Sequence, residues 1–411
     1  MTESFDIVIL GLTVTSSWGN GHATTWRSLV RGLASRGKRI LFLERDEPWY
    51  AANRDEPHPK GAVTVVYDDF DELITRFEAA VSRAALVMVG SYVPDGIRVG
   101  EWVNSIAQGR TAFYDIDTPV TLSRLETGDA GYITPDLIRS YDAYLSFTGG
   151  PILRLIESRY GARRARALYC SVDPAAYWPT AVQEKWDLGY LGTYSADRQP
   201  ALEELLLTPA RQWCEGRFAV VGPQYPDLLE WPENVARTIH LSPREHPCFY
   251  GAQRFTLNVT RDVMKTAGYS PSVRLFEAGA CGVPVISDWW EGLDTVFRIG
   301  EEVLVAESAE DTLHFLCELP ESRRQAVAAA ARARVLAEHT PAVRAAQLMS
   351  YLKEMNDDVS PRTPRGNRRS RTISDRLEDR LSSERQGQAA DKSACTVSVG
   401  VSDASDLHES S

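Results

Sequence analysis

The chain lacks most of what would commit it to a structural metal, a membrane or a nucleic acid. Its six cysteines, at 170, 214, 248, 281, 317 and 395, are scattered and include no C-x-x-C pair. That spacing offers neither a zinc site nor the disulfide framework of a small secreted domain, and reduced thiols in a cytoplasm are the simpler reading. No uninterrupted apolar run approaches the ~18 residues of a membrane span, and no basic stretch with a signal-like apolar run opens the chain. Neither export nor a transmembrane segment is expected. Excess positive charge is missing too: 45 Lys and Arg stand against 56 Asp and Glu, a net charge of -11. An acidic body argues against nonspecific nucleic-acid binding, which needs a basic face. After Tyr351 there is no aromatic residue, and from Asn356 the chain is rich in Ser, Arg, Asp, Gln and Gly. Such a stretch cannot bury enough apolar surface to order itself, so 356–411 reads as a disordered tail. Its arginines at 362, 365, 368, 369 and 371 leave peripheral contact with anionic lipid or a partner open beside the simpler solvated tail.

What is present is an ordinary globular composition over 411 residues, too long for one core and suited to two. Residues 5–10, F-D-I-V-I-L, form a short apolar run typical of a buried parallel strand. A polar, glycine-containing loop ends at His22, and a helix follows with Trp26, Leu29, Val30 and Leu33 on one face before a strand at 39–43. The alternation continues with strands at 62–67, 84–89, 111–116, 143–147 and 167–170 and helices at 70–83, 99–108 and from Pro151. It predicts a doubly wound parallel sheet over 1–172. A proline-bearing segment without helical or strand period, 173–184, reads as a linker. A second series over 185–355 has strands at 187–191, 218–221, 254–259, 283–287 and 302–306. Its helices lie at 201–207 and near 310–319, 321–338 and 341–355, the last able to cross back to the first domain. Two Rossmann-like domains of this kind face each other across a cleft at the carboxyl ends of their strands.

The most informative stretch is 268–291, G-Y-S-P-S-V-R-L-F-E-A-G-A-C-G-V-P-V-I-S-D-W-W-E. Ser270, Pro271 and Ser272 suit the start of a short helix, with Ser as cap and Pro in the first turn. The amides of 271–274 are then expected to face an anion. Arg274 and Glu277 project from the same helix, a cation for a diphosphate and a carboxylate able to accept two hydrogen bonds from a ribose diol. An ordinary capped helix with a surface Arg and Glu is the alternative.

The pattern S-P-S-x-R-L-F-E-A-x-A-C-G-x-P-x-I-S-D-x-W-x-G-L-D at 270–294, with G-x-E-x-L-V-A at 300–306, resembles glycosyltransferases of the GT-B type. It is particularly similar to the CgeB-like, spore-maturation-protein-like branch of the group-1 transferases. C-S-V-D with W-P at 170–179 and L-N-V-T-R at 257–261 support the resemblance, which runs over about 5–350. It implies that Glu277 holds the ribose of a nucleotide-sugar donor, with Ser270, Ser272 and Arg274 near the phosphates and Arg198 as a second diphosphate contact. Asn258 and Arg261, at a strand's carboxyl end, are donor or acceptor contacts or turn caps. Tyr269 stands where retaining relatives carry a second Glu, so their stereochemistry does not transfer.

In the first domain, His22 resembles the general base of inverting GT-B transferases, and Asp115 and Asp117 are placed to orient it, Asp117 nearer the loop. Helix capping and strand termination are the plainer readings of these three residues. Asp115-Ile116-Asp117 also spells D-x-D, but GT-B enzymes usually meet the leaving diphosphate with basic side chains and helix ends, so no metal or other cofactor is expected. The expected function is metal-independent transfer of a sugar from a nucleotide sugar to an acceptor hydroxyl in the cytoplasm, with closure of the cleft excluding water. A nucleotide-sugar epimerase and a nonenzymatic nucleotide-sugar-binding protein remain as alternatives.

Overall fold

The computed structural model describes residues 4–18, 21–128 and 131–358. The arginine cluster at 362–371 and the tail from 359 lie outside the described residues. Seven strands form the first sheet: β1 Ile7–Gly11, β2 Ile40–Arg45, β3 Val63–Tyr67, β4 Leu86–Gly90, β5 Arg110–Asp115, β6 Ala143–Ser146 and β7 Ala165–Ala167. Six form the second: β8 Trp186–Leu191, β9 Phe218–Val221, β10 Val235–Thr238, β11 Gln253–Asn258, β12 Val285–Ser287 and β13 Leu304–Val305. Their orders are β3-β2-β1-β4-β5-β6-β7 and β10-β9-β8-β11-β12-β13, with every pairing parallel.

Both sheets are buried on both faces, which is why their central strands read as nearly continuous apolar runs. In β1, Val8 and Leu10 join one core, and Ile7 and Ile9 the other. The second core also takes Trp26, Leu29, Val30 and Leu33 from the helix His22–Ala34, together with Ala345, Leu348, Leu352 and Met355 from the last helix, Pro341–Asp357. The last helix therefore packs on the first domain, and it runs two residues past the point where the tail was expected to begin. The contact is close at Gly32, where an added Cβ would lie 2.1 Å from the carbonyl oxygen of Pro341.

The return crossing is fastened by Arg344. Its Nε donates to the carbonyls of Tyr169 and Cys170 at 3.0 and 3.1 Å, its Nη1 to that of Glu338 at 3.0 Å, and its Nη2 meets His339 Nδ1 at 2.7 Å. His339 stacks on Phe276 at 4.2 Å, and its carbonyl accepts the Val172 amide at 3.0 Å. Burial, followed by the charge of Arg344, lowers the imidazole pKa to about 3.

Several elements differ from expectation. Between β5 and β6 the chain forms two helices, Thr118–Thr127 and Pro135–Ser140, where none was expected, and the preceding helix is Gly96–Ile106 rather than 99–108. Strand β10 was not anticipated, β7 ends at Ala167, and β12 begins at Val285.

Candidate functional site

In an open parallel sheet a ligand crevice forms where neighbouring strands send their connections to opposite sides. That point lies between β1 and β4 in the first sheet and between β8 and β11 in the second. The loops leaving these strands meet in one cleft of about 450 Å3. His22, Tyr92 and Asp117 face it from the first domain; Arg198, Arg261 and the segment 270–273 face it from the second.

The donor-side helix is Val273–Ala280, and Ser272 is its cap, with Oγ accepting the Arg274 amide at 3.3 Å. Pro271 thus precedes the cap instead of occupying the first turn. This narrows the expected anion site to the amides of 272 and 273: proline has no N–H, and the amide of 274 is already bonded. Ser270 lines the cleft, but its hydroxyl donates to the Gly268 carbonyl at 3.0 Å and accepts from Thr148 Oγ1 at 2.7 Å.

Arg274 stands one layer behind the cleft wall. Its Nε donates to the Leu191 carbonyl at 2.6 Å, its Nη1 to Asn258 Oδ1 at 2.8 Å, and its guanidinium lies 4.8 Å from the centre of the Tyr190 ring. Asn258 is fully buried and donates from Nδ2 to Ser287 Oγ at 3.0 Å and Thr260 Oγ1 at 3.3 Å, so it braces the wall from within. Glu277 is also buried, and its carboxylate accepts the hydroxyl of Tyr250 at 3.0 Å. Tyr250 fixes the carboxylate, and nothing in its spacing along the chain announced it.

Arg198 and Arg261 are the cations on the wall itself. Arg198 donates from Nη2 to the Thr193 carbonyl at 2.7 Å, while the buried Nε of each arginine has no hydrogen-bond partner among the described residues. Arg261 Nε lies 3.7 Å from the Asp197 carboxylate, beyond hydrogen-bond length. Burial, and then the like charges of Arg274 and Arg261, push the Arg198 pKa below its ordinary value. A cluster of like charges in a partly desolvated cleft is relieved by an anion.

Across the cleft, His22 opens its helix after Gly21. Burial lowers its pKa to about 4, so the imidazole is neutral near pH 7. Its ring meets Tyr92 edge-on at 5.5 Å, and the Tyr92 hydroxyl donates to Asp117 Oδ2 at 3.0 Å. Tyr92 therefore touches both residues expected to work together. Its backbone is left-handed, with φ 62°; for a bulky residue this costs about 1–3 kcal/mol and persists where the surroundings impose it. Burial raises the Asp117 pKa, opposed by the Tyr92 hydroxyl and by the charges of Arg261 and Arg124. Asp115 is turned inward: it accepts Thr121 Oγ1 at 2.8 Å, the Asp117 amide at 3.2 Å and the Tyr144 hydroxyl, and burial raises its pKa to about 6. The two aspartates thus point to different environments, and no group of three His, Cys, Asp or Glu side chains suited to a metal ion occurs among the described residues.

Residues 198–350 match a family profile described as glycosyl transferase-like. No curated protein sequence matches the chain significantly. Among solved structures, a sucrose-phosphate synthase from Thermosynechococcus elongatus is 15% identical, with TM-score 0.61, over 85% of this chain and 99% of that one. Anabaena HepE in complex with UDP-glucose is 13% identical, with TM-score 0.61, over 85% and 100%. An α-glucosyltransferase in complex with UDP-glucose and DNA containing an abasic site is 12% identical, with TM-score 0.64, over 85% and 100%. The fold is GT-B. The GT-B cleft is the one described above, and the matched segment begins at Arg198 and contains Arg261, Arg274 and Glu277. No helix among the described residues is long and apolar enough to cross a membrane.

Proposed function

We propose that this chain is a CgeB-like glycosyltransferase that moves a hexosyl or related group from a nucleotide sugar to an acceptor hydroxyl without a metal. The observation that carries the reading is the convergence of Arg198, Arg261 and Arg274 on one side of the cleft, two of them with an Nε that has no hydrogen-bond partner among the described residues. Two of the similar structures hold UDP-glucose, which makes a diphosphate the natural anion for this cluster.

In this reading the donor diphosphate lies against Arg198, Arg261 and Ser272. Arg274 adds charge from behind, Asn258 holds Arg274 in place, and Glu277 takes the ribose. Neutral His22 accepts the acceptor's hydroxyl proton as its oxygen bonds to the anomeric carbon. The bond from that carbon to the diphosphate oxygen breaks, and the electron pair leaves with the diphosphate. Tyr92, anchored by Asp117, packs against the His22 ring and limits its tilt.

A thermal-shift screen against UDP-, GDP-, TDP- and ADP-sugars tests the donor, because a ligand of the folded state stabilises it by mass action. One nucleotide class should raise Tm. Arg198→Met should weaken its binding about ten- to a hundredfold, the scale of a charge-assisted hydrogen bond. If no nucleotide sugar shifts Tm, or Arg198→Met binds as the wild type does, the donor site is wrong. Incubation with the donor alone separates the chemistry: an epimerised product would replace transfer.

A further inference from the structure

We propose that Tyr269 is a positioning residue: it wedges the two domains at the spacing the cleft requires and holds the cleft-lining segment 270–273 against the first-domain loop that follows β6. Tyr269 has φ 47°, left-handed for a bulky side chain. Its ring is enclosed by Gly150 of the first domain and Gly292 of the second. A Cβ on Gly150 would come within 2.3 Å of the ring, and one on Gly292 within 2.4 Å. Only glycine on each side admits it.

The backbone and the next two residues continue the tie. Tyr269 donates its amide to the Glu291 carbonyl at 2.6 Å and accepts the Gly149 amide at 2.9 Å. Ser270 Oγ meets Thr148 Oγ1 at 2.7 Å, and Cys170 Sγ lies 3.7 Å from the Pro271 carbonyl oxygen. Three consecutive residues of the second domain are thus bonded to the first, and the chain passes directly from them into the cleft wall. A strained conformation persists where the surroundings over-determine it; around Tyr269 those surroundings come from both domains together. This tie sets the spacing of the two domains on that side of the cleft before a ligand arrives.

Hydrogen–deuterium exchange on the full chain tests this. Tyr269→Ala should speed exchange of the Gly149 amide and its neighbours about tenfold or more, while β1 and β11 stay protected. Tyr269→Phe keeps the ring and should exchange like the wild type. Unchanged exchange at 147–150 in Tyr269→Ala, or equal loosening by Phe and Ala, overturns the proposal. Should Tyr269→Ala fail to fold, the double variant Thr148→Val/Ser270→Ala carries the test: local acceleration supports the wedge and wild-type exchange refutes it. A UDP titration by calorimetry adds a readout that rests on the donor site proposed above. Tyr269→Ala should bind UDP several-fold more weakly and Tyr269→Phe should not. Local loosening in a chain that never binds UDP would sink the donor reading and leave the wedge standing, so the two failures are distinguishable.

Discussion

Buried titratable residues pull the acid stability of the molecule in opposite directions. His22 and His339 have pKa values of about 4 and about 3 in the fold, against an ordinary 6.5. Above pH 6.5 both are neutral, folded or unfolded, and cost nothing. Below it the unfolded chain takes up protons that the fold refuses, so stability falls as the pH drops towards the folded values. Each histidine contributes a slope of up to roughly 1.4 kcal/mol per pH unit. Asp115 has the opposite sign. Its carboxyl titrates at about 6 in the fold against an ordinary 3.8, so the folded chain binds that proton first and acidification from 6 to 3.8 adds stability. Asp117 and Asp288, also raised by burial, act in the same direction as Asp115, so the profile in this range is the balance of two histidines against three carboxyls. Urea midpoints over pH 4–7 check it: His22→Asn should raise stability at the acid end relative to pH 7, and Asp115→Asn should lower it. An unchanged profile in both variants would show that neither group is perturbed.

At the scale of elements, the packing of the last helix on the helix His22–Ala34 reverses a general preference. Glycine inside a helix is usually less stable than alanine by about 0.5–1 kcal/mol, so Gly32→Ala in an exposed helix would stabilise. Here the new methyl would meet the backbone of Pro341 at 2.1 Å, and the last helix must shift. A net loss of about 1–3 kcal/mol, the usual cost of overpacking, is expected as a lower urea midpoint or Tm; a rise in Tm would show the contact to be loose.

The same scale shows what the sequence discloses. Central parallel strands were legible because burial on both faces leaves uninterrupted apolar runs. Strand β10, V-A-R-T, lies at a sheet edge with Arg237 and Thr238 exposed, so it has no run to find. The helices at 118–127 and 135–140 were hidden in a stretch rich in Thr, Asp and Ser. At the site, residue types at the cleft were readable from motif spacing, but side-chain commitments were not. The spacing that marks Arg274 and Glu277 says nothing of the Leu191 carbonyl, Asn258 and Tyr250 that occupy them. Tyr92 carries no motif; its position directly after β4, at the crevice of the first sheet, was the one available signal. The positive φ of Tyr92 and Tyr269 is a tertiary outcome that no local pattern encodes.

At the scale of the molecule, the chain passes between the domains twice, near 170–185 on the way out and near 338–341 on the way back. The two passages are joined by the Val172 amide to the His339 carbonyl and by Arg344 to the carbonyls of Tyr169 and Cys170. Domains coupled in this way should unfold together. Calorimetry of the full chain is expected to give one transition, moved as a whole by a bound nucleotide; two separate peaks, only one of them shifted, would show that the crossings do not couple the domains. The paired crossings also have a mechanical meaning. A single connecting strand is a swivel, free to turn in any direction, whereas two strands fastened side by side act as the pin of a door hinge. Here the pin has a latch as well: the bonds of 269–271 to the first domain hold the far side of the cleft, so His22 and the arginines opposite it are kept in one alignment.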